Sequence, residues 1–293
     1  LDYLALSPLV WAAPSKRVGD TIPCKGTLYD RLVQPLLLAA LNVDPPEGSA
    51  GLAGAIVRET LLAGGAACRP LIAREGLSAV LVEPAIRLLQ GKGASLQLGH
   101  ELRAFGMSAD KVDELKFGDD AVAVAPDDVV VMAVPPRSAA ALLPGLKTPS
   151  KFRAIVNAHF RFDPPKNMPP ILGVVGGLVE WLFAFPQRLS VTISNADRLV
   201  DMPREELAQA IWRDICKAAG LEAELPPWQI VRERRATFEA TPEQNALRPG
   251  AVTHCKNLFL AGDWTDTGLP ATIEGSVRSG DRAADLILAM RQA

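Results

Sequence analysis

Near the carboxyl end, NLFLAG (residues 257–262) is an apolar run short enough for a buried strand. Asp263 stands at its end, residues 264–271 turn the chain, and residues 272–290 carry a helical period. Strand, acid, loop and helix in this order belong to an α/β layer, in which ligands sit at the carboxyl ends of strands and a helix start offers free N–H groups. A carboxylate at such a strand end can accept hydrogen bonds from the hydroxyls of a ligand. Ile273, Val277, Ala284, Ile287 and Leu288 fall on one helical face, which the pattern predicts to pack on the sheet. Gly275 and Gly280 each cost about 1 kcal/mol relative to Ala inside a helix. Either a ligand approaching the backbone or tight helix-to-sheet packing accounts for them.

The 293 residues predict about two domains. With 31 Lys and Arg against 33 Asp and Glu, the net charge of -2 provides no attraction for phosphate polymers, so no nucleic-acid partner is expected. Cys24, Cys68, Cys216 and Cys255 form no close pair, and His100, His159 and His254 are equally dispersed, so neither a metal site nor a disulfide framework is expected. Scattered, buried thiols fit a reducing compartment, hence a cytoplasmic location. The apolar stretch 171–185 contains three glycines and Glu180, and falls short of the roughly 20 residues of a membrane helix; it reads as sheet core. The chain opens on Leu1 without an initiator Met, which raises the expectation of native sequence upstream.

Residues 28–41 have helical spacing interrupted by Pro35, and residues 51–62 are a second amphipathic stretch. Residues 77–90 read as a helix with Ser78 as N-cap, ended by Gly91 and Gly93. Residues 94–105 alternate as a strand does, with a bend at Gly99. VVVMAV (129–134), wholly apolar and followed by Pro135 and Pro136, reads as an inner strand of the α/β layer. Residues 153–162, 178–185 and 189–194 are three strands of a second sheet. Pro203 opens a helix with Leu207, Ile211, Ile215 and Ala218 on one stripe, closed by Gly220.

The run LFLAGDWTDTGLPATIEGSVRSGDRAADLIL (258–288) resembles the C-terminal FAD-binding motif of the flavin-dependent amine oxidase and phytoene desaturase superfamily. The resemblance implies that Asp263, beside Gly262, binds the ribityl and pyrophosphate region of FAD, and that the backbone of Thr272, Ile273 and Glu274 lies against the flavin pyrimidine edge. The stretches 75–78 and 100–103 resemble the helix and strand before the adenine contact, which falls on a backbone group of Leu102. Residues 129–136 resemble the family's strand ending in Ala-Val-Pro. The implied fold is α/β (α+β mixed): an FAD/NAD(P)-binding Rossmann-like domain with an interleaved substrate domain of mixed sheet and helices. The implied order is substrate domain over 1–70 and 147–245, FAD domain over 71–146 and 246–293. No G-x-G-x-x-G follows a strand anywhere, so the chain is expected to lack the family's N-terminal βαβ unit and to be truncated there.

In the amine-oxidising branch a Tyr two residues before the Glu walls an aromatic cage; here that position is Thr272, and only Tyr3 and Tyr29 exist in the chain, which argues against an amine substrate. The motif over 262–280, with the stretches 28–52 and 235–249, resembles the squalene-associated branch instead. That likeness implies a bacterial, FAD-dependent oxidoreductase acting on a polyprenyl lipid: reductive dehydroxylation of hydroxysqualene to squalene for hopanoid synthesis, with peripheral docking on the inner face of a membrane. Such chemistry needs an apolar tunnel and a group that assists departure of the hydroxyl. Asp266 and Glu274 lie in the cofactor segment, but surface or capping roles suit either. A phytoene- or carotenoid-type desaturase, another flavoenzyme of the family, and a non-catalytic fragment without FAD stand as alternatives.

Overall fold

The computed structural model describes residues 2–292. Short helix α1 (Ser7–Val10) leads to α2 (Gln34–Leu41) and α3 (Ala50–Glu59), then α4 (Glu83–Gly91), a meander of β1 (Ala104–Ser108), β2 (Lys111–Phe117) and β3 (Asp120–Ala123), strand β4 (Val130–Met132) and α5 (Pro136–Leu142). The second half runs β5 (Phe152–Phe160), β6 (Ile171–Gly173), β7 (Trp181–Phe185), β8 (Arg188–Ile193), α6 (Arg204–Ala219), β9 (Trp228–Phe238), α7 (Pro242–Asn245), β10 (Leu258–Leu260) and α8 (Ile273–Gln292).

Three sheets form among the described residues. β1, β2 and β3 are antiparallel neighbours, β10 pairs β4 in parallel, and five antiparallel strands lie in the order β6-β7-β8-β5-β9. Parallel pairing of strands so distant in sequence identifies β4 and β10 as part of the α/β layer that the 129–134 and 257–262 runs predict. Two apolar cores form. One joins α1, α2 and α3 to Val112, Met132, Leu258, Leu260 and Trp264; the other fills the space between the five-stranded sheet and α6.

Pro35 and Pro84 stand at the starts of α2 and α4, each preceded by a wide π turn (Tyr29–Val33 and Ser78–Val82) that absorbs the missing N–H. Ser78 is not a cap: the backbone of Leu77 is already helical, so the serine lies inside the first turn. Of the expected strand over 94–105 only the end is realised: the Arg103 N–H bonds the Lys116 carbonyl of β2 at 2.7 Å and β1 starts at Ala104, while Leu96 and Leu98 before them are exposed. The apolar stretch 171–185 does enter the sheet, as β6 and β7. The four thiols are free, but of the expected buried set only Cys255 is buried; Cys24 and Cys216 are half-buried and Cys68 is exposed. No described helix is long and apolar enough to cross a membrane.

Helix α6 follows the sequence stripe: Leu207, Ile211 and Ile215 are fully covered, and Gly220 ends the helix at φ 64°. Helix α8 does not. Ile273, Val277, Ala284 and Leu288 are exposed and Ile287 half-buried; the residues that face inward are Gly275, Ser279 and Ala283. The Ser279 hydroxyl accepts a hydrogen bond from the Gly262 N–H at 2.7 Å, and that approach admits only small side chains between helix and strand.

Candidate cofactor cleft

A cleft of about 440 Å³ opens where the carboxyl ends of β4 and β10 meet the side of α8 and the bulged end of β9. Val134, Pro135 and Pro136 form one wall and Gly262 and Asp263 the strand end beside it. Ser276 and Gly280 come from α8, and Phe152, Arg235, Ala236, Thr237 and Phe238 from the neighbouring sheet. Between β5 and β9 the register slips: the step from Arg153 to Ile155 spans the longer step from Thr237 to Glu233. The resulting bulge carries Arg235 and Ala236 to the cleft, as bulges beside ligand sites commonly do, and the Glu233 carboxylate accepts the Arg235 N–H at 3.0 Å.

The strand end is fixed by polar contacts. Gly262 has φ 136°, in the region that favours glycine, and a Cβ there would meet the Trp264 Nε1 at 2.7 Å. Trp264, 2% exposed, donates its indole N–H to the Val134 carbonyl at 2.9 Å, tying the ends of the two parallel strands together. At the other end the Asn257 amide ties the start of β10 to β2 of the meander, donating to the Val112 carbonyl and accepting its N–H, both at 2.8 Å. After the turn, the Thr272 hydroxyl accepts the Gly275 N–H at 3.0 Å and caps α8.

The Asp263 carboxyl is held above its ordinary pKa by burial, opposed by the charge of Arg248 and by the N–H groups of Asp263 and Trp264. Asp263 is the only carboxyl group among the described residues that line the cleft. Gly280 also lines this space, and a Cβ on it would meet nothing within 4 Å, whereas a Cβ on Gly275 would meet the Pro270 carbonyl oxygen at 2.9 Å. One helical glycine therefore keeps the cleft open and the other serves packing.

Of the residues the sequence singles out, the cleft brings together Gly262 and Asp263. Thr272, Ile273 and Glu274 stand at the start of α8 and do not line it; the Glu274 carboxylate accepts the Arg278 Nε–H at 2.7 Å, and Arg278 also pairs with Glu59. Leu102 is half-buried on the extended approach to β1, outside the lining. Asp266 is exposed and accepts the Gly268 N–H at 3.3 Å. Sequence reasoning missed the bulge of β9, the Phe152 and Phe238 wall and the supporting Trp264, Ser279 and Arg248. The bulge leaves no local pattern, and a buried arginine runs against the residue's usual exposure.

A cleft at the carboxyl edge of a parallel pair, with a glycine-acid strand end, offers a ligand one carboxylate for its hydroxyls and largely apolar walls. The chain belongs to the flavin containing amine oxidoreductase family, whose model matches residues 1–288. It is 75% identical over 98% of its length to a hydroxysqualene dehydroxylase of Sinorhizobium fredii, of which it spans 69%, and 72% identical over its whole length to one of Rhodopseudomonas palustris, of which it spans 70%. A 15-cis-phytoene desaturase of an Oncidium hybrid is 26% identical over 71% of the chain and 40% of that protein. Among solved structures, a putrescine oxidase variant superposes with a TM-score of 0.71 at 15% identity, covering 99% of this chain and 74% of that one.

Proposed function

We propose that this protein is an FAD-dependent oxidoreductase that removes the hydroxyl of hydroxysqualene. The observation that carries the reading is the 75% identity, along nearly the whole chain, to a relative of that name; the apolar walls of the cleft suit an isoprenoid. Bound in reduced form, FAD would supply the hydride that replaces the hydroxyl on carbon, and the hydroxyl would leave as water with a proton drawn from solvent.

The chain's own residues bind and exclude. Asp263 accepts hydrogen bonds from the cofactor's hydroxyls, Gly262 shapes the strand end beside it, Gly280 leaves room for the cofactor's approach, and Thr272, Ile273 and Glu274 lend backbone at the helix start. Leu102 offers backbone to the adenine end. Val134, Pro135, Phe152 and Phe238 keep water from the reacting carbon. The helical part over 1–70 and the sheet part over 147–245 form the substrate domain around the FAD-binding parts. An insoluble substrate places the protein at the cytoplasmic face of a membrane, peripherally; liposome flotation without bound protein would remove that part.

The test is to purify the protein with its flavin, reduce it without oxygen and add hydroxysqualene. Squalene appearing as the flavin regains its yellow colour is the expected result. A yellow protein inert toward hydroxysqualene but active on a polyene would move the assignment to the desaturases. Asp263→Ala is expected to lower FAD occupancy sharply, and unchanged occupancy would sink the cofactor role of this acid.

A further inference from the structure

Arg248 lies outside the cleft lining, in the stretch 235–249 of the family resemblance, which assigns it no role. It is 6% exposed, an unusual depth for a guanidinium without a paired carboxylate. Its Nη2 donates to the carbonyl oxygens of Asp263, at 3.2 Å, and of Thr265, and reaches the Thr267 hydroxyl at 3.4 Å. Nη1 donates to the Asn245 side chain at 3.1 Å. The guanidinium carbon stands 4.9 Å from the centre of the Phe238 ring, whose residue lines the cleft. One cation therefore collects the carbonyls of the turn that carries the cofactor acid and braces the aromatic wall facing it. The Pro249 carbonyl takes the Asp266 N–H at 2.8 Å and ties the same two segments again.

We propose that Arg248 is a positioning residue for cofactor binding: it holds the 263–267 turn in the shape that presents Asp263 to FAD. The proposal rests on the assignment of Asp263 to the cofactor. Burial brings the guanidinium down to about 10, so it is still charged at neutral pH. The other groups around Asp263 are few. From β9 comes Arg235, while α8 contributes the uncharged Ser276 and Gly280 and the β4 end the uncharged Val134, Pro135 and Pro136; Asp266 of the turn acts on Arg248 itself. Arg248 is thus the principal cation opposing the burial of Asp263.

Two substitutions separate the fork from the charge. Arg248→Met removes fork and charge; Arg248→Lys keeps a charge but not the fork. Hydrogen exchange of the amides of 263–268 in FAD-free protein reads the turn, exchange in β5 and β8 serves as the folding control, and FAD titration from pH 5.5 to 8 reads the carboxyl. Arg248→Met is expected to speed exchange at 263–268 alone, to weaken FAD binding roughly ten- to hundredfold, and to move the loss of binding on acidification to higher pH. Arg248→Lys is expected to speed exchange but to keep the wild-type pH profile. Unchanged exchange and FAD affinity in Arg248→Met would overturn the proposal. If that variant does not fold, Arg248→Lys decides, and one indistinguishable from wild type in exchange overturns it. Wild-type protein that takes up no FAD would defeat the cofactor reading by itself, and the exchange comparison would still decide whether Arg248 shapes the turn.

Discussion

Helices α6 and α8 are each laid on strands, by opposite means. α6 presents Leu207, Ile211, Trp212 and Ile215 to the five-stranded sheet, where Phe160, Val191 and Ile193 meet them, and every one of these side chains is buried. α8 buries Gly275, Ser279 and Ala283, with Ser279 on the end of β10 and Gly275 against Pro270, and turns Val277 and Leu288 outward, 54% and 58% exposed. The first region is held by apolar volume, with about 1.5–3 kcal/mol for each large side chain covered. The second is held by hydrogen bonds that fix particular backbone groups: Ser279 on Gly262, Trp264 on Val134, Asn257 on Val112. Packing by volume tolerates small shifts; hydrogen bonds at strand ends set positions, and positions are what a cofactor site needs.

The largest expected effect tests whether Trp264 belongs to both regimes. Trp264→Ala empties a fully buried site and frees the Val134 carbonyl, for a loss of about 3–5 kcal/mol, read as a lower midpoint in urea, together with loss of bound flavin. Trp264→Phe keeps most of the volume and loses the N–H; it is expected to keep most of the stability and to lose flavin affinity. If the Phe variant held flavin as tightly as wild type, the strand-end bond would have no positioning role. Next comes Ile211→Ala, with about 2–5 kcal/mol lost from the other core and the flavin content of the folded fraction unchanged. A drop in flavin per folded molecule would mean that the two regions are coupled. Ser279→Ala should cost about 1–3 kcal/mol, since it leaves the Gly262 N–H unpaired between helix and strand. Here flavin occupancy should fall by more than the Ile211 variant loses at equal stability.

What the sequence made legible follows the same division. Where volume decides, periodicity reports it: the α6 stripe, the three middle strands of the large sheet and the apolar run of β10 are visible because burial there depends on residue type alone. β9 escaped notice because its charged run from Arg232 to Arg235 hides the period of two, and the bulge breaks the alternation. The helical period of α8 is real, but its apolar face is not the inward one, since a close approach selects small residues and leaves the large ones to the far side. Gly262 and Asp263 were readable by resemblance to a motif. Their supports were not: Arg248 and Asn257 act on backbone groups brought close only by folding, and no local spacing encodes that.

The smallest effect probes the volume-held region at a part-buried acid. The Glu180 carboxylate, just before β7, accepts the Ser194 N–H at 2.9 Å, and burial raises its pKa above the ordinary 4.5, against the opposing pull of that bond and of Arg198. A carboxyl raised in the folded state favours folding while both states are protonated. Its contribution declines as pH rises from about 4.5 through the folded value, because the unfolded chain releases the proton more readily. Glu180→Gln keeps an acceptor for Ser194 and carries no charge, so this slope should vanish. Thermal midpoints of the two proteins are expected to lie close together at pH 4 and to separate toward neutrality, with the variant the more stable. Parallel curves would mean that Glu180 ionises freely in the fold, and that this sheet tolerates a charge where the comparison with the cofactor cleft says it should not.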